Sequence, residues 1–283
     1  MLPGVPGLTD LDAHRLRRFE HVLNDLLAES SLSPDDGQPV RSQRLARVRR
    51  ELAARGFLGY AVPARDGGCG GPAVAQTLMQ FVCGYHDADL RDSTGLGHGR
   101  LIARHATPPV RDRWLPGLLA GDLPGIAITE PHGGSQIHAT TTTAIAHRDG
   151  TWTLTGTKTW ISRLNEAAVF TVFFNDPAGH LTAGVIDAAA DGLQRRPILP
   201  AGLSGWTWGE LRLHNVRVRR CHVLGRPGEG MALLREHFAH YRPLVAATAL
   251  GGAAAGAFWR APAHRRSRSS PCCRWRSRSW PPP

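Results

Sequence analysis

Apolar positions fall three and four apart in the first part of the chain, every second residue after Gly121, and three to four apart again from about Gly230. The spacing predicts helices, then strands, then a helix. In LDAHRLRRFEHVLNDLLAES, Phe19, Val22, Leu23, Leu26 and Leu27 form one stripe, with Thr9 or Asp10 placed as the N-cap. A second helix from about Arg41 to Arg55 carries Leu45, Val48 and Leu52 and stops at Gly56, a residue suited to a left-handed cap. A third, from about Ala73 to Tyr85, presents Val74, Leu78, Phe81, Val82 and Tyr85. Between the last two, YAVPARDGGCGGP is a loop, because its glycines and prolines break both regular structures.

In the alternating region TTTTAIAH and TWTLTGT flank Arg148-Asp149-Gly150, where Asp-Gly is a strong hairpin signal. AVFTVFF, LTAGVID, GLQRRPIL and WTWGELRLHNVRV read as further strands, each bounded by a turn. Short antiparallel strands of this kind predict a small barrel or sandwich. In the closing helix, MALLREHFAHYRPLVAATALGGAAAGAF, Pro243 is expected to start a new helix or to kink the existing one.

Composition narrows the function classes. The apolar run Leu244 to Trp259 is shorter than the roughly 18 residues of a membrane span, and the N-terminus lacks the basic and apolar regions of a signal peptide. The expectation is a cytoplasmic protein without a membrane role. Five cysteines, none in a C-x-x-C pair, give neither a disulfide framework nor a structural zinc site. The net charge of +11 points to nucleic acid only until it is located, since seven arginines lie beyond Trp259 with no acids, leaving +4 on the rest. No specific nucleic-acid partner is expected. Lys158 is the only lysine, an arginine bias expected of GC-rich coding sequence. In that light WRAPAHRRSRSSPCCRWRSRSWPPP reads as the product of a shifted frame; a disordered arginine-rich tail contacting RNA or anionic surfaces is the alternative.

Two stretches carry candidate chemistry. AITEPHGGSQ ends a strand at Thr129 and turns through Gly133, Gly134 and Ser135, aiming backbone N–H groups and hydroxyls into one concavity suited to an anion or cofactor; a plain strand-connecting turn has the same spacing. In GTKTWIS, Trp160 and Ser162 leave a strand together, a flat apolar face beside a hydroxyl, as a planar ring requires or as a half-buried tryptophan does. GLGHG (95–99) lacks both a preceding strand and the dinucleotide spacing. Ser135 lies outside a G-x-S-x-G elbow. Glu236, His237 and His240 share one helix, but no further ligands stand at metal spacing, and no metal is expected.

Taken in order, GFLGYAVPARDGGCGGP, RDRWLPGLLAGDLPGIAITEP, TEPHGGSQ, GTKTWIS and ELRLHNVRVRRCHVLGRPGEG resemble the acyl-CoA dehydrogenase family over most of residues 41 to 258. The resemblance implies an α+β architecture: an N-terminal α-helical domain (1–122), an antiparallel β-barrel domain that binds flavin (123–229), a stump of the C-terminal helical bundle (230–258), and a disordered Arg/Ser/Pro-rich tail (259–283). It implies FAD as cofactor, with Ile126, Ile128 and Thr129 along the ring, Gly134 and Ser135 near the pyrophosphate, and Trp160 with Ser162 over the ring. Gln136 stands where the family motif has an acid.

The implied reaction is α,β-dehydrogenation of an acyl thioester on CoA or acyl carrier protein, with Ser135, Phe238, Tyr241 and Arg242 beside the substrate. The electron acceptor would be a flavoprotein or oxygen, and the family implies a homo-oligomer. In most members the catalytic carboxylate lies in the C-terminal bundle; in a minority it precedes the arginine of a pattern matched here by YRPLVAATALG, where this chain has Tyr241. No base is identified, Glu236 and His240 are weak substitutes, and weak or absent activity of this chain is the expectation. The alternatives are a flavin-dependent oxidase or monooxygenase of the same superfamily, and a non-catalytic thioester- or RNA-binding protein.

Overall fold

The structure, a computed structural model, describes residues 8–33 and 36–259, so the arginine-rich tail lies outside the described residues. Helices α1 (Asp10–Ser30) and α2 (Val40–Ala54) follow the apolar spacing. Of the two N-cap candidates Thr9 takes the role, its hydroxyl accepting from Asp12 N while the Asp12 carboxylate accepts from Thr9 N, a capping box that satisfies two otherwise orphaned donors. The loop after α2 holds one 3-10 turn (Ala64–Asp66). Helices α3 (Ala73–His86), α4 (Arg100–His105) and α5 (Pro108–Ala120) complete the N-terminal part.

Helix α3 buries a different face from the one its apolar residues predict. Ala75, Gln76, Met79, Gln80, Cys83 and Gly84 are buried, whereas Val74, Leu78, Phe81, Val82 and Tyr85 are only half-buried. The reason is its partner, helix α6 (Gly230–Trp259), which approaches backbone to backbone. A Cβ on Gly84 would lie 1.9 Å from the Thr248 carbonyl oxygen, and one on Gly251 would lie 2.1 Å from the Phe81 oxygen. Small residues therefore set this face, and the larger apolar ones flank it. Of the polar residues it buries, Gln80 is satisfied internally, donating to Thr94 and accepting from the Thr248 hydroxyl. Helix α6 runs unbroken through Pro243. Ala239, whose carbonyl the proline cannot pair, is solvent-exposed, as is Pro243 itself.

Among the described residues seven strands follow the predicted segments: β1 (Leu123–Ala127), β2 (Thr143–Ala146), β3 (Thr151–Ser162), β4 (Ala167–Asn175), β5 (Leu181–Asp187), β6 (Leu193–Ile198) and β7 (Trp208–Arg219). The hairpin at Asp149-Gly150 joins β2 to β3, with Gly150 at φ 76°. The sheet is mixed and open, which corrects the antiparallel barrel. Strand β1 runs parallel to β4 from Leu123↔Ala167 to Ala127↔Val172, and β2 meets the same strand in parallel at Thr143↔Asn175. Beyond them β3, β7 and β6 pair antiparallel in turn, while β5 covers the other edge of β4. A chain that passes through helices before β1 and through the long turn before β2 arrives at β4 in the parallel sense, which strand alternation does not disclose.

Central strand β4 is buried on both faces, consistent with its unbroken apolar run. Phe170, Val172 and Phe174 point into the sheet's own core; Val169 and Phe173 point into a second core shared with α4, α5 and α6. The helices keep a third, built on Phe19, Leu23, Leu45, Leu52 and Met79. Asp89 ties the layers together, pairing with Arg41 of α2 at 3.1 Å and accepting from Gly205 N, while its carbonyl accepts from the Trp206 indole before β7. Among the described residues no helix is long and apolar enough to cross a membrane.

The backbone contact of α3 with α6 makes Gly84 intolerant of any side chain. Gly84→Ala is expected to cost ~2 kcal/mol or more through overpacking, measured as a lower midpoint in urea against Gly252→Ala, where the Cβ meets nothing closer than 3.5 Å.

Candidate functional site

The turn after β1 is fastened from beneath. Glu130, 2% exposed, receives the Lys158 ammonium at 2.7 Å and four hydrogen bonds of 2.6–3.0 Å from the backbone N–H and hydroxyl groups of Thr141 and Thr142. Lys158 also donates to the Ile128 carbonyl at 3.2 Å. Burial pushes the Glu130 carboxyl up, but the hydrogen bonds from Lys158, Thr141 and Thr142 more than offset it and hold it at about 2. Burial pulls Lys158 below its ordinary value, opposed by Glu130. Gly156 allows this closure, since a Cβ there would lie 2.4 Å from the Thr142 hydroxyl. The ends of residues 130–142 are thereby pinned to β3 while the middle faces solvent.

Above this pair the sequence candidates converge. Thr159 N donates to Thr129 O at 2.8 Å, bringing the end of β1 against β3. Gly134 lies over Thr129, its Cβ position 3.5 Å from the Thr129 methyl group. Gly134 and Ser135 are exposed, and among the described residues neither their backbone N–H groups nor the Thr129 and Ser135 hydroxyls have an intramolecular partner. The β3–β7 register breaks between Lys158 and Ile161. In that break Trp160 takes φ 57° and leaves its side chain 55% exposed. A left-handed tryptophan facing water is an outlier twice over, of the kind that clusters at ligand sites. Ser162 is half-buried and accepts from Arg163 at 3.3 Å. Ile126 and Ile128 are half-buried on the helix-facing side of β1, in the cluster that also holds Phe238 of α6.

Two family models match the chain's sequence. The model for the N-terminal domain of acyl-CoA dehydrogenases matches residues 27–122, and that for the middle domain matches residues 125–216. The chain belongs to the acyl-CoA dehydrogenase family. A glutaryl-CoA dehydrogenase from Desulfococcus multivorans is 31% identical over 214 residues, covering 71% of this chain and 54% of the relative. The very long-chain specific acyl-CoA dehydrogenase of Mus musculus is 27% identical over 75% of this chain and 35% of the relative, so the chain spans about half or less of these relatives' length. Butyryl-CoA dehydrogenase from Megasphaera elsdenii superposes with a TM-score of 0.78 at 24% identity, covering 97% of this chain and 74% of that one. At that identity the likeness is one of fold.

Tyr241, at the position where some acyl-CoA dehydrogenases carry their base, is buried and donates its hydroxyl to both oxygens of Asp92, at 2.9 and 3.0 Å. Arg163 pairs with the same carboxylate at 2.9 Å. Burial raises Asp92, but Arg163 and Arg91 more than offset it and hold it at about 2; burial and Asp92 together push the Tyr241 phenol above its ordinary value. A phenol that holds its proton and a carboxylate this acidic make a structural pair and a poor base. Beside them His98 and His237 share one hydrogen bond of 3.0 Å, with His237 stacked on Tyr241. Burial pushes His237 down to about 4 and His98 well below its ordinary value, so both are neutral near pH 7.

The weak candidates sit elsewhere on α6. Glu236 faces α4, paired with Arg104 at 2.7 Å, His105 at 3.2 Å and Arg100 at 3.5 Å. Burial raises its carboxyl, and His105, Arg104 and Arg100 together lower it further than that. His240 is half-buried, and burial with Arg100 and Arg104 lowers it. Arg242 is exposed and lies over the Phe238 ring at 5.4 Å. Among the described residues no three His, Cys, Asp or Glu side chains are placed to hold a metal. The Glu130–Lys158 pair and the Asp92–Arg163–Tyr241 cluster are absent from the sequence reading. Only the first had a signal there, a lone lysine inside one motif and the acid of the other.

Glu130→Gln is expected to cost about 3 kcal/mol by leaving Lys158 buried and unpaired. The Glu130 carboxyl is depressed in the folded state, so its contribution is complete above its ordinary 4.5 and is lost as pH falls toward about 2. Urea unfolding at pH 6 and pH 3 checks both: wild type should lose more stability than the variant on acidification.

Proposed function

We propose that the chain binds FAD against Thr129, Gly134, Ser135 and Trp160, and that this site derives from one for α,β-dehydrogenation of an acyl thioester on CoA or a carrier protein, with turnover weak or absent in this chain. The observation that carries this reading is the convergence of unpartnered N–H and hydroxyl donors with an exposed left-handed Trp160, on a turn fixed by a buried ion pair. The residues fit a flavin. The glycine at 134 leaves its side open for a pyrophosphate, where free backbone N–H groups suit an anion. The Trp160 indole offers a flat apolar face to a planar ring, and Ile126 and Ile128 supply apolar contact along β1. Gln136 leaves this turn without the acid of the family motif, so the donors there face no added negative charge.

Bound FAD supplies a hydride acceptor. The chain's own residues orient it and screen it from water: Thr129 and Ser135 offer hydroxyls, Trp160 and Ser162 border one face, and Phe238 with Arg242 lies at the thioester side. Proton removal from the α carbon requires a base, and neither the Tyr241–Asp92 pair nor ion-paired Glu236 is suited to it. Related proteins support the reading by name, one as a glutaryl-CoA dehydrogenase and one, from Bacillus anthracis, solved as an acyl-CoA dehydrogenase complexed with FAD. The electron acceptor proposed is a flavoprotein or oxygen.

The test is a visible spectrum of the purified chain supplied with FAD, before and after adding acyl-CoAs of several lengths. A bound flavin that acyl-CoA does not bleach is expected, and Trp160→Ala should weaken flavin binding about tenfold. No bound flavin, or reduction by NAD(P)H in place of any acyl-CoA, would refute the proposal.

A further inference from the structure

Beyond Leu213 strand β7 runs on without β6, and the turn after it returns to β5 through the Gly184↔Val223 bridge and a Leu224 N–H bond to the Ala183 carbonyl at 2.9 Å, beside α5. The seam between them is a cavity of about 650 Å³ whose lining includes none of the residues assigned to the flavin. Its lining carries three arginines, Arg113 from α5 and Arg217 and Arg219 from β7, against one carboxylate, Asp187 of β5, with the His222 imidazole from the turn after β7 beside them. Arg113 is engaged by Asp187 at 2.7 Å and rests on the Trp114 ring at 4.9 Å, and Arg217 pairs with Asp149 of the β2–β3 turn. Arg219 has no carboxylate partner among the described residues. The turn that presents His222 is fixed, since the Thr107 hydroxyl at the start of α5 donates to the Cys221 carbonyl at 2.9 Å.

We propose that this seam binds the phosphate groups of a small phosphorylated molecule, with Arg219 as the principal contact and Arg113, Arg217 and His222 around it. Guanidinium groups present paired N–H donors that match phosphate oxygens, and a concave site in which positive charges outnumber negative ones concentrates anions. The volume exceeds the needs of a bare phosphate and the site is partly open to solvent, so it admits a phosphate carried on a larger body. His222 registers the field: burial, Arg219 and Arg113 together hold it below its ordinary value. The groups facing it are Arg113 and Trp114 from α5, Asp187 from β5, Thr151 from β3, and Arg217 and Arg219 from β7. A bound dianion would counter the two arginines and raise its proton affinity, and binding would tighten as pH falls. The inference stands independently of the flavin reading.

The experiment follows the His222 ring resonances by NMR through a pH titration of the full chain, alone and with inorganic pyrophosphate or ADP. With either probe the His222 titration midpoint should rise by about one pH unit, the size expected when an opposite charge arrives at close range. Arg219→Ala, an exposed substitution, should weaken probe binding about tenfold while leaving the urea midpoint unchanged. No rise with either probe at millimolar concentration would overturn the proposal. So would an equal rise in sodium chloride of matched ionic strength, or unchanged binding in the Arg219→Ala chain.

Discussion

The candidate site rests on one buried ion pair. Glu130 and Lys158 meet at 2.7 Å with both side chains out of solvent, and four further hydrogen bonds from Thr141 and Thr142 complete the carboxylate's shell. Burying two charges is costly unless the geometry satisfies every remaining lone pair, and here it nearly does. The pair does more than stabilise: it fixes where the end of β1, the two ends of the 130–142 turn and the middle of β3 stand relative to one another. The exposed middle of that turn then has a defined floor, on which Gly134, Ser135 and Trp160 present unpartnered groups. Geometry held by buried partners and offered by exposed ones is what a preorganised ligand site requires.

A second constraint joins the sheet to the helices. Helix α6 reaches the N-terminal helices through the Gly84–Thr248 and Gly251–Phe81 approaches, and this closeness carries Tyr241 and His237 into contact with Asp92 and His98. Arg163, immediately after β3, closes the same network. Three parts of the chain that are far apart in sequence thus share one buried polar cluster, whose members neutralise one another. Its chemistry is consequently quiet: an acidic Asp92, a proton-retaining Tyr241 and a neutral histidine pair.

Much of the fold was legible from periodicity. The strands, the Asp149-Gly150 hairpin and the first two helices follow directly from where apolar residues recur. Strand direction was not, because β1 and β2 both lie parallel to β4 and alternation is identical in either sense. The buried face of α3 was missed because glycine, alanine and glutamine carry little apolar signal, although they are what lets α6 come close. The site shows the same division. Thr129, Gly134, Ser135 and Trp160 stand in recognisable motifs, and a Thr159 N–H bond to the Thr129 carbonyl joins the strands that carry them, whereas the pairing of Asp92 with Tyr241 spans 149 residues and leaves no local trace.

The central claim is that the 129–136 turn and the Trp160 bulge form one flavin cradle. Amide hydrogen exchange of the chain with and without FAD tests it most directly. Slower exchange confined to Gly134, Ser135 and the 159–161 backbone on adding FAD is the expected result. Unchanged exchange there, or protection appearing only in other parts of the chain, would contradict it.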